Sequence, residues 1–125
     1  MKRALFVCVQ NSCRSQMAEG FLRKFGDGFV EAYSAGSKPA GKVNLDAIKV
    51  MDEAGVDISK YQSKGFPELP VKEFDWVVFL GCGDRCPIIS GEHHLDWKIE
   101  DPTGQDIEFF RKTRDQIKNN VQELV

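Results

Sequence analysis

Cys8, Arg14 and Ser15 stand in the order C-x5-R-S. That spacing suits a thiol set beneath a bound oxyanion. The backbone N–H groups of Val9, Gln10, Asn11, Ser12 and Cys13 can turn inward as a concave nest, and a helix starting after them adds its positive end. Arg14 supplies a planar fork that matches two oxygens of a tetrahedral anion. Cys8 at the base sits where positive potential favours the thiolate, and Ser15 can donate a hydrogen bond to that sulfur. A thiolate aimed at the centre of an oxyanion is an activated nucleophile. The plainer alternative is a buried structural cysteine with an unrelated surface arginine. The motif's place between an apolar run and a helical pattern favours the cradle.

Other residues carry possible chemistry. Cys82 and Cys86 are separated by Gly83, Asp84 and Arg85. A C-x3-C pair can bridge, because one helical turn brings its Cα atoms within the ~4.4–6.8 Å that a disulfide spans. The pair is alternatively idle, or joins His93 and His94 around zinc. Adjacent histidines on a strand point to opposite faces, which disfavours zinc, so both are expected at the surface. Asp101-Pro102 offers a carboxyl group held extended by the following proline, although Asp-Pro pairs also commonly mark turns.

The elements that position these residues follow from hydrophobic pattern. Ala4–Val9 is a continuous apolar run and reads as a strand buried on both faces. Ala18, Phe21, Leu22 and Phe25 recur at helical spacing, and Gly26 and Gly28 end that helix. Val30 to Ser34 reads as a second strand. Asn44 caps a helix presenting Leu45, Ile48 and Met51, which Gly55 stops. Residues 59–70 are irregular, with room for a short helix. Phe74 to Leu80 is a second strong apolar strand, residues 81–91 form a loop, and His94 to Ile99 reads as a fourth strand. A last helix begins near Gly104, with Ile107, Phe110, Arg114, Ile117, Val121 and Leu124 along one stripe. Strands alternating with helices predict a parallel sheet covered on both faces. Cys8 and Cys82 each follow a strong strand, where sites of such sheets lie.

The chain has 125 residues, 42% hydrophobic and 29% charged, the material of one domain spanning 1–125. A net charge of -2 predicts neither a nucleic-acid nor a membrane partner, so an anion must be held by local geometry. Met1-Lys2-Arg3 and the apolar run after it are too short for a signal peptide and lack a cleavage site. The protein is read as cytoplasmic and monomeric, where four cysteines are more plausibly catalytic, redox or metal-binding than structural disulfides.

Val7-Cys8, followed by Asn11-Ser12-Cys13-Arg14-Ser15-Gln16-Met17-Ala18-Glu19-Gly20, resembles the signature of the low-molecular-weight phosphatase and arsenate reductase superfamily. The similarity continues through Tyr33-Ser34-Ala35-Gly36, Gly55-Val56-Asp57-Ile58-Ser59 and Asp101-Pro102. It implies an α/β three-layer sandwich with a four-stranded parallel sheet. It further implies Cys8 as nucleophile toward arsenate or phosphate, Arg14 as anion ligand and Asp101 as general acid. In the arsenate reductase branch it implies a relay in which Cys82 attacks Cys8, arsenite leaves, and Cys86 takes over the disulfide for an external thiol reductant such as thioredoxin. No bound cofactor is implied.

Four departures matter. The gap between Cys82 and Cys86 is shorter than in the thioredoxin-coupled members. Thr103-Gly104 follows Asp101-Pro102, where phosphatases of the family usually carry tyrosines, which weakens the alternative of a tyrosine phosphatase. Gln10 stands where many relatives have glycine, and a positive φ there would strain it. Finally, some members hold potassium near the loop at positions matching Asn11, Glu19 and Ser34. Lys64 occupies the remaining acidic position, where an ammonium can replace the cation, so no metal is expected.

Overall fold

Residues 2–81 and 91–124 are described in a computed structural model. The strands are β1 (Lys2–Cys8), β2 (Val30–Gly36), β3 (Phe74–Phe79) and β4 (Gly91–Asp96). The helices are α1 (Arg14–Phe25), α2 (Leu45–Glu53) and α3 (Ile107–Leu124), and a short 3-10 turn spans Phe66–Glu68. The strands form one parallel sheet in the order β2-β1-β3-β4.

β1 is central because its side chains tolerate burial on both faces. Ala4, Leu5, Phe6 and Val7 have no solvent exposure. Ala4, Phe6 and Cys8 face a cluster with Met17, Phe21 and Leu22 of α1, Ala47, Val50 and Met51 of α2, and Phe110, Ile117 and Val121 of α3. Leu5 and Val7 face Ala35, Phe74 and Val77, under Phe66, Leu69 and Val71 around the 3-10 turn. Both faces are therefore covered, as the alternating pattern predicts. Each fully buried large apolar side chain contributes about 1.5–3 kcal/mol. Together they fix the C-terminal end of β1, and so the place of Cys8. No helix among the described residues is long and apolar enough to cross a membrane.

Two expectations need correction. β4 runs over Gly91–Asp96, three positions earlier than His94 to Ile99, paired with β3 from Phe74↔Gly91 to Phe79↔Asp96. It is an edge strand with Glu92, His93 and His94 exposed, so hydrogen bonding to β3 defines it. The alternating Leu95, Trp97 and Ile99 pulled the pattern too far along the chain. In α2, Leu45 is 78% exposed and the buried residues are Ala47, Val50 and Met51. Its C-terminal Glu53 accepts from Arg111 and Arg114 of α3, and Arg114 also donates to the Val50 carbonyl. The cap is as expected: the Asn44 side chain accepts from the amides of Asp46 and Ala47.

Candidate functional site

The C-x5-R-S segment occupies the turn between β1 and α1, and its backbone polarity can be counted atom by atom. The Val9 carbonyl accepts from Lys38 N at 2.8 Å, and that of Gln10 from Ala40 N at 3.0 Å and Ser63 Oγ at 2.8 Å. The Asn11 carbonyl accepts from Gln16 Nε2 at 3.0 Å, Ser12 from Asn44 N at 3.0 Å, and Cys13 from Met17 N at 2.9 Å. Every loop carbonyl is thus turned outward to a donor. In a trans peptide the next N–H points the opposite way. The amides of Gln10 to Arg14 are therefore left facing the concavity, the arrangement an anion nest requires. Gly36, at the end of β2, makes room for this turn. A Cβ there would lie 2.5 Å from the Val9 carbonyl oxygen and 2.8 Å from Asn11 N.

Asn11 carries the strain of the turn. It is the one non-glycine residue with positive φ, at 49°, among the described residues. Gln10 has no such φ, so the strain anticipated there falls one position later. Asn11 is fully buried. Its Nδ2 donates to Ser15 Oγ at 2.8 Å, and its Oδ1 accepts from Gln16 Nε2 at 2.8 Å and Lys64 N at 2.9 Å. Ser15 Oγ lies 2.8 Å from Cys8 Sγ. Because Asn11 already donates to Ser15 Oγ, the serine hydrogen is free to point at the sulfur. Cys8 is buried, with 3% exposure. Gln16 Nε2 also donates to the Gln62 carbonyl at 2.9 Å, while its Oε1 is buried without a partner.

Arg14 stands at the side of the cradle. Its Nη1 donates to the Ile99 carbonyl at 2.9 Å, and its Nη2 lies 3.9 Å from Asp101 Oδ2. One guanidinium edge is thereby oriented by the chain beyond β4. Gly81, with φ +77°, lies against the same group: a Cβ there would be 2.6 Å from Arg14 Nη1 and 2.7 Å from the Ile99 oxygen. The chain thus reaches the rim of the cradle one residue before Cys82. Cys82 and Cys86 lie outside the described residues. A narrow cleft of about 200 Å³, open mouth included, is lined by Cys8, Gln10, Ser12, Cys13, Arg14, Asp101 and Thr103. Burial pushes the Cys13 thiol up to about 11, so Cys13 stays protonated.

Behind the loop lies a charge cluster. Glu19 is buried, and its Oε1 accepts from Ser34 Oγ at 2.5 Å. Its Oε2 pairs with Arg23 at 2.8 Å, and Lys64 Nζ is 3.7 Å from Oε1. Lys64 also links the cluster to the loop through its backbone, donating to Asn11 Oδ1 and accepting from Gly36 N. A potassium ion does not fit here. Two side-chain cations already face Glu19, and Asn11 Oδ1 already accepts from two donors.

The structure brings together Cys8, residues 9–13, Arg14, Ser15 and Asp101. His93 and His94 are exposed as expected, and their rings stack on Trp76 and Phe79 at centroid distances of 6.4 and 6.3 Å. Sequence reasoning quoted Gln16 within the family signature but gave it no role, and so missed its bonds to Asn11 and Gln62. It also missed Thr103, whose place after Asp-Pro was noted only as a missing tyrosine.

A strand-end cysteine in an outward-carbonyl loop, with an arginine and an Asp-Pro carboxylate at its rim, is the arrangement that a thiol site for oxyanions requires. The model of the family described as low molecular weight phosphotyrosine protein phosphatase matches residues 3–125, and the chain belongs to that family. Arsenate reductases are among the family members it is similar to. The glutaredoxin arsenate reductase of Synechocystis sp. is 41% identical, over 100% of this chain and 97% of that protein. A solved arsenate reductase in its phosphate-binding state superposes with a TM-score of 0.90 at 42% identity, covering 99% of this chain and 96% of that one. The thioredoxin-dependent arsenate reductase of Corynebacterium glutamicum gives 0.79 at 32% identity, covering 99% of this chain and 60% of that one.

Proposed function

We propose that this chain reduces arsenate to arsenite with Cys8 as the nucleophile. The observation that carries the reading is the Cys8 Sγ, 2.8 Å from a serine hydroxyl free to donate to it, beneath amides freed by outward carbonyls. In the first step the Cys8 thiolate attacks arsenic. An As–S bond forms, an As–O bond breaks, and Asp101 supplies the proton with which the oxygen departs as water. Arg14 and the loop amides balance the charge on the remaining oxygens. In the second step the Cys82 thiolate attacks Cys8 Sγ. A disulfide forms, the As–S electron pair stays on arsenic, and arsenic(V) leaves as arsenic(III). Cys86 then attacks Cys82, which frees Cys8 and leaves a Cys82–Cys86 disulfide for an external dithiol. The position of Gly81 against Arg14 supports this order, since Cys82 is the next residue.

A thioredoxin is the proposed reductant, in the cytoplasm, where such thiols stay reduced. The Synechocystis relative favours a second reading, a glutaredoxin with glutathione. Arsenate turnover with each reductant, in wild type, Cys8→Ser and Cys82→Ser, tests both. Cys8→Ser should be inactive. Cys82→Ser should release no arsenite beyond what added small thiols release. Phosphate-ester hydrolysis shares the Cys8 step and needs neither Cys82 nor Cys86. The narrow cleft disfavours aryl esters, so rapid aryl-phosphate hydrolysis without arsenate turnover would overturn the proposal.

A further inference from the structure

Asp101 is only half covered, with 49% of its side chain exposed. A carboxylate so placed ordinarily samples several rotamers. Here the amide of Thr103 donates to Asp101 Oδ1 at 3.0 Å, and Thr103 Oγ1 donates to the same oxygen at 2.8 Å. Asp101 Oδ2 faces Arg14 Nη2 at 3.9 Å instead. A hydroxyl has one hydrogen, and this one is committed to Oδ1. The 3.5 Å contact between Thr103 Oγ1 and Cys13 Sγ must therefore be donated by the thiol. The raised pKa of Cys13 agrees, since a protonated thiol can donate. A directed chain, S–H to O–H to Oδ1, thus links the anion loop to the Asp-Pro loop.

We propose that Thr103 is a positioning residue, which pins Asp101 Oδ1 with two donors so that Oδ2 carries and delivers the proton to the departing oxygen, while Cys13 sets the direction of the threonine hydroxyl. This rests on the reading of Asp101 as the general acid. A protonated carboxyl group has one O–H oxygen and one carbonyl oxygen. The two donors on Oδ1 make it the carbonyl oxygen, because a hydrogen there would meet theirs. The proton then sits on Oδ2, on the Arg14 side of the cleft. At transfer the O–H bond of Oδ2 breaks and its electron pair stays on the carboxylate. The new charge spreads to Oδ1, where both donors already wait. The proton passes to the oxygen leaving arsenic, which departs as water. Cys13 is neither nucleophile nor redox partner in this scheme.

Thr103→Val removes the hydroxyl while keeping the shape and the backbone amide. Arsenite formed in a single turnover is followed by rapid quench, with circular dichroism checking the fold. The rate in Thr103→Val should fall about tenfold, the cost of one hydrogen bond to a group that becomes charged. The arsenate concentration giving half the maximal rate should stay within about twofold, and Thr103→Ser should restore the rate. In an Asp101→Ala background, Thr103→Val should cause no further loss, because its target is gone. If Asp101→Ala is strongly impaired while Thr103→Val matches wild type, the proposal falls and the acid assignment stands. The same follows if Thr103→Val slows Asp101→Ala by its full factor. If Asp101→Ala reacts at the wild-type rate, the acid assignment falls and takes the proposal with it.

Discussion

Replacing Asn11 with alanine asks whether side-chain hydrogen bonds hold the cradle in shape. The substitution deletes the Asn11 bonds to Ser15 Oγ, Gln16 Nε2 and Lys64 N, all between 2.8 and 2.9 Å. At a net ~0.5–1.5 kcal/mol each, they amount to about 1.5–4.5 kcal/mol. Alanine at φ 49° adds about 1 kcal/mol, since asparagine tolerates the left-handed region better. A loss near ~4 kcal/mol is expected; with a urea m value of ~2 kcal/mol/M, the midpoint should drop by about 2 M. Asn11→Gly should recover about 1 kcal/mol of this, because glycine removes the φ penalty but not the lost bonds. Asn11→Asp separates stability from chemistry. An aspartate accepts where Asn11 Nδ2 donates, so it claims the Ser15 hydrogen and takes it from Cys8 Sγ. Its arsenate turnover should fall about as far as Ser15→Ala lowers it, since both remove the same hydrogen bond to Cys8. Urea denaturation and arsenate kinetics read the two effects. An Asn11→Ala protein within about 1 kcal/mol of wild type, or a fully active Asn11→Asp, would refute the reasoning.

Gly81→Ala places a methyl 2.6 Å from Arg14 Nη1 at a φ of +77°. It should raise the KM for arsenate more than tenfold with a stability cost of about 2–4 kcal/mol, and an unchanged KM would show that Arg14 does not hold the anion. Lys64→Met leaves buried Glu19 with Arg23 as its remaining cation, so stability should drop by about 1–3 kcal/mol in urea melts. In the unmodified protein, exchanging sodium for potassium should leave KM and kcat unchanged; a potassium requirement would contradict the assignment of Lys64. Hydrogen bonds from Arg111 hold Glu53 down to about 2 from 4.5, across the α2–α3 contact. A depressed carboxylate contributes its stability above pH 4.5 and loses it as pH falls towards 2. Glu53→Gln should flatten the urea midpoint over that window, and parallel acid titrations of variant and wild type would refute the linkage.

The order of elements was legible because apolar runs and helical stripes are wide signals. β1, buried on both faces, announces itself in Ala4–Val7. The cradle was legible because cysteine, arginine and serine at fixed spacing have few other uses at a strand–helix junction. β4 was blurred because an edge strand with Glu92, His93 and His94 outward carries little apolar signal. The buried face of α2 was misplaced because spacing marks a stripe without saying which partner covers it. Hydrogen-bond partners from distant segments were not legible at all. Asn11 Oδ1 accepts from Lys64 N, the Gln10 carbonyl from Ser63 Oγ, and the Ile99 carbonyl from Arg14 Nη1. Such pairings follow from the packed fold, not from local pattern. The ammonium at Glu19 is the exception, since an acid replaced by Lys64 was visible beside a matched motif.

The most direct test of the account maps thiols by mass spectrometry after one arsenate turnover without external reductant. The predicted result is one arsenite per chain, a Cys82–Cys86 disulfide, and Cys8 returned to the free thiol. An intact set of thiols after arsenate is consumed, or a disulfide that forms equally well in Cys8→Ser, would contradict it.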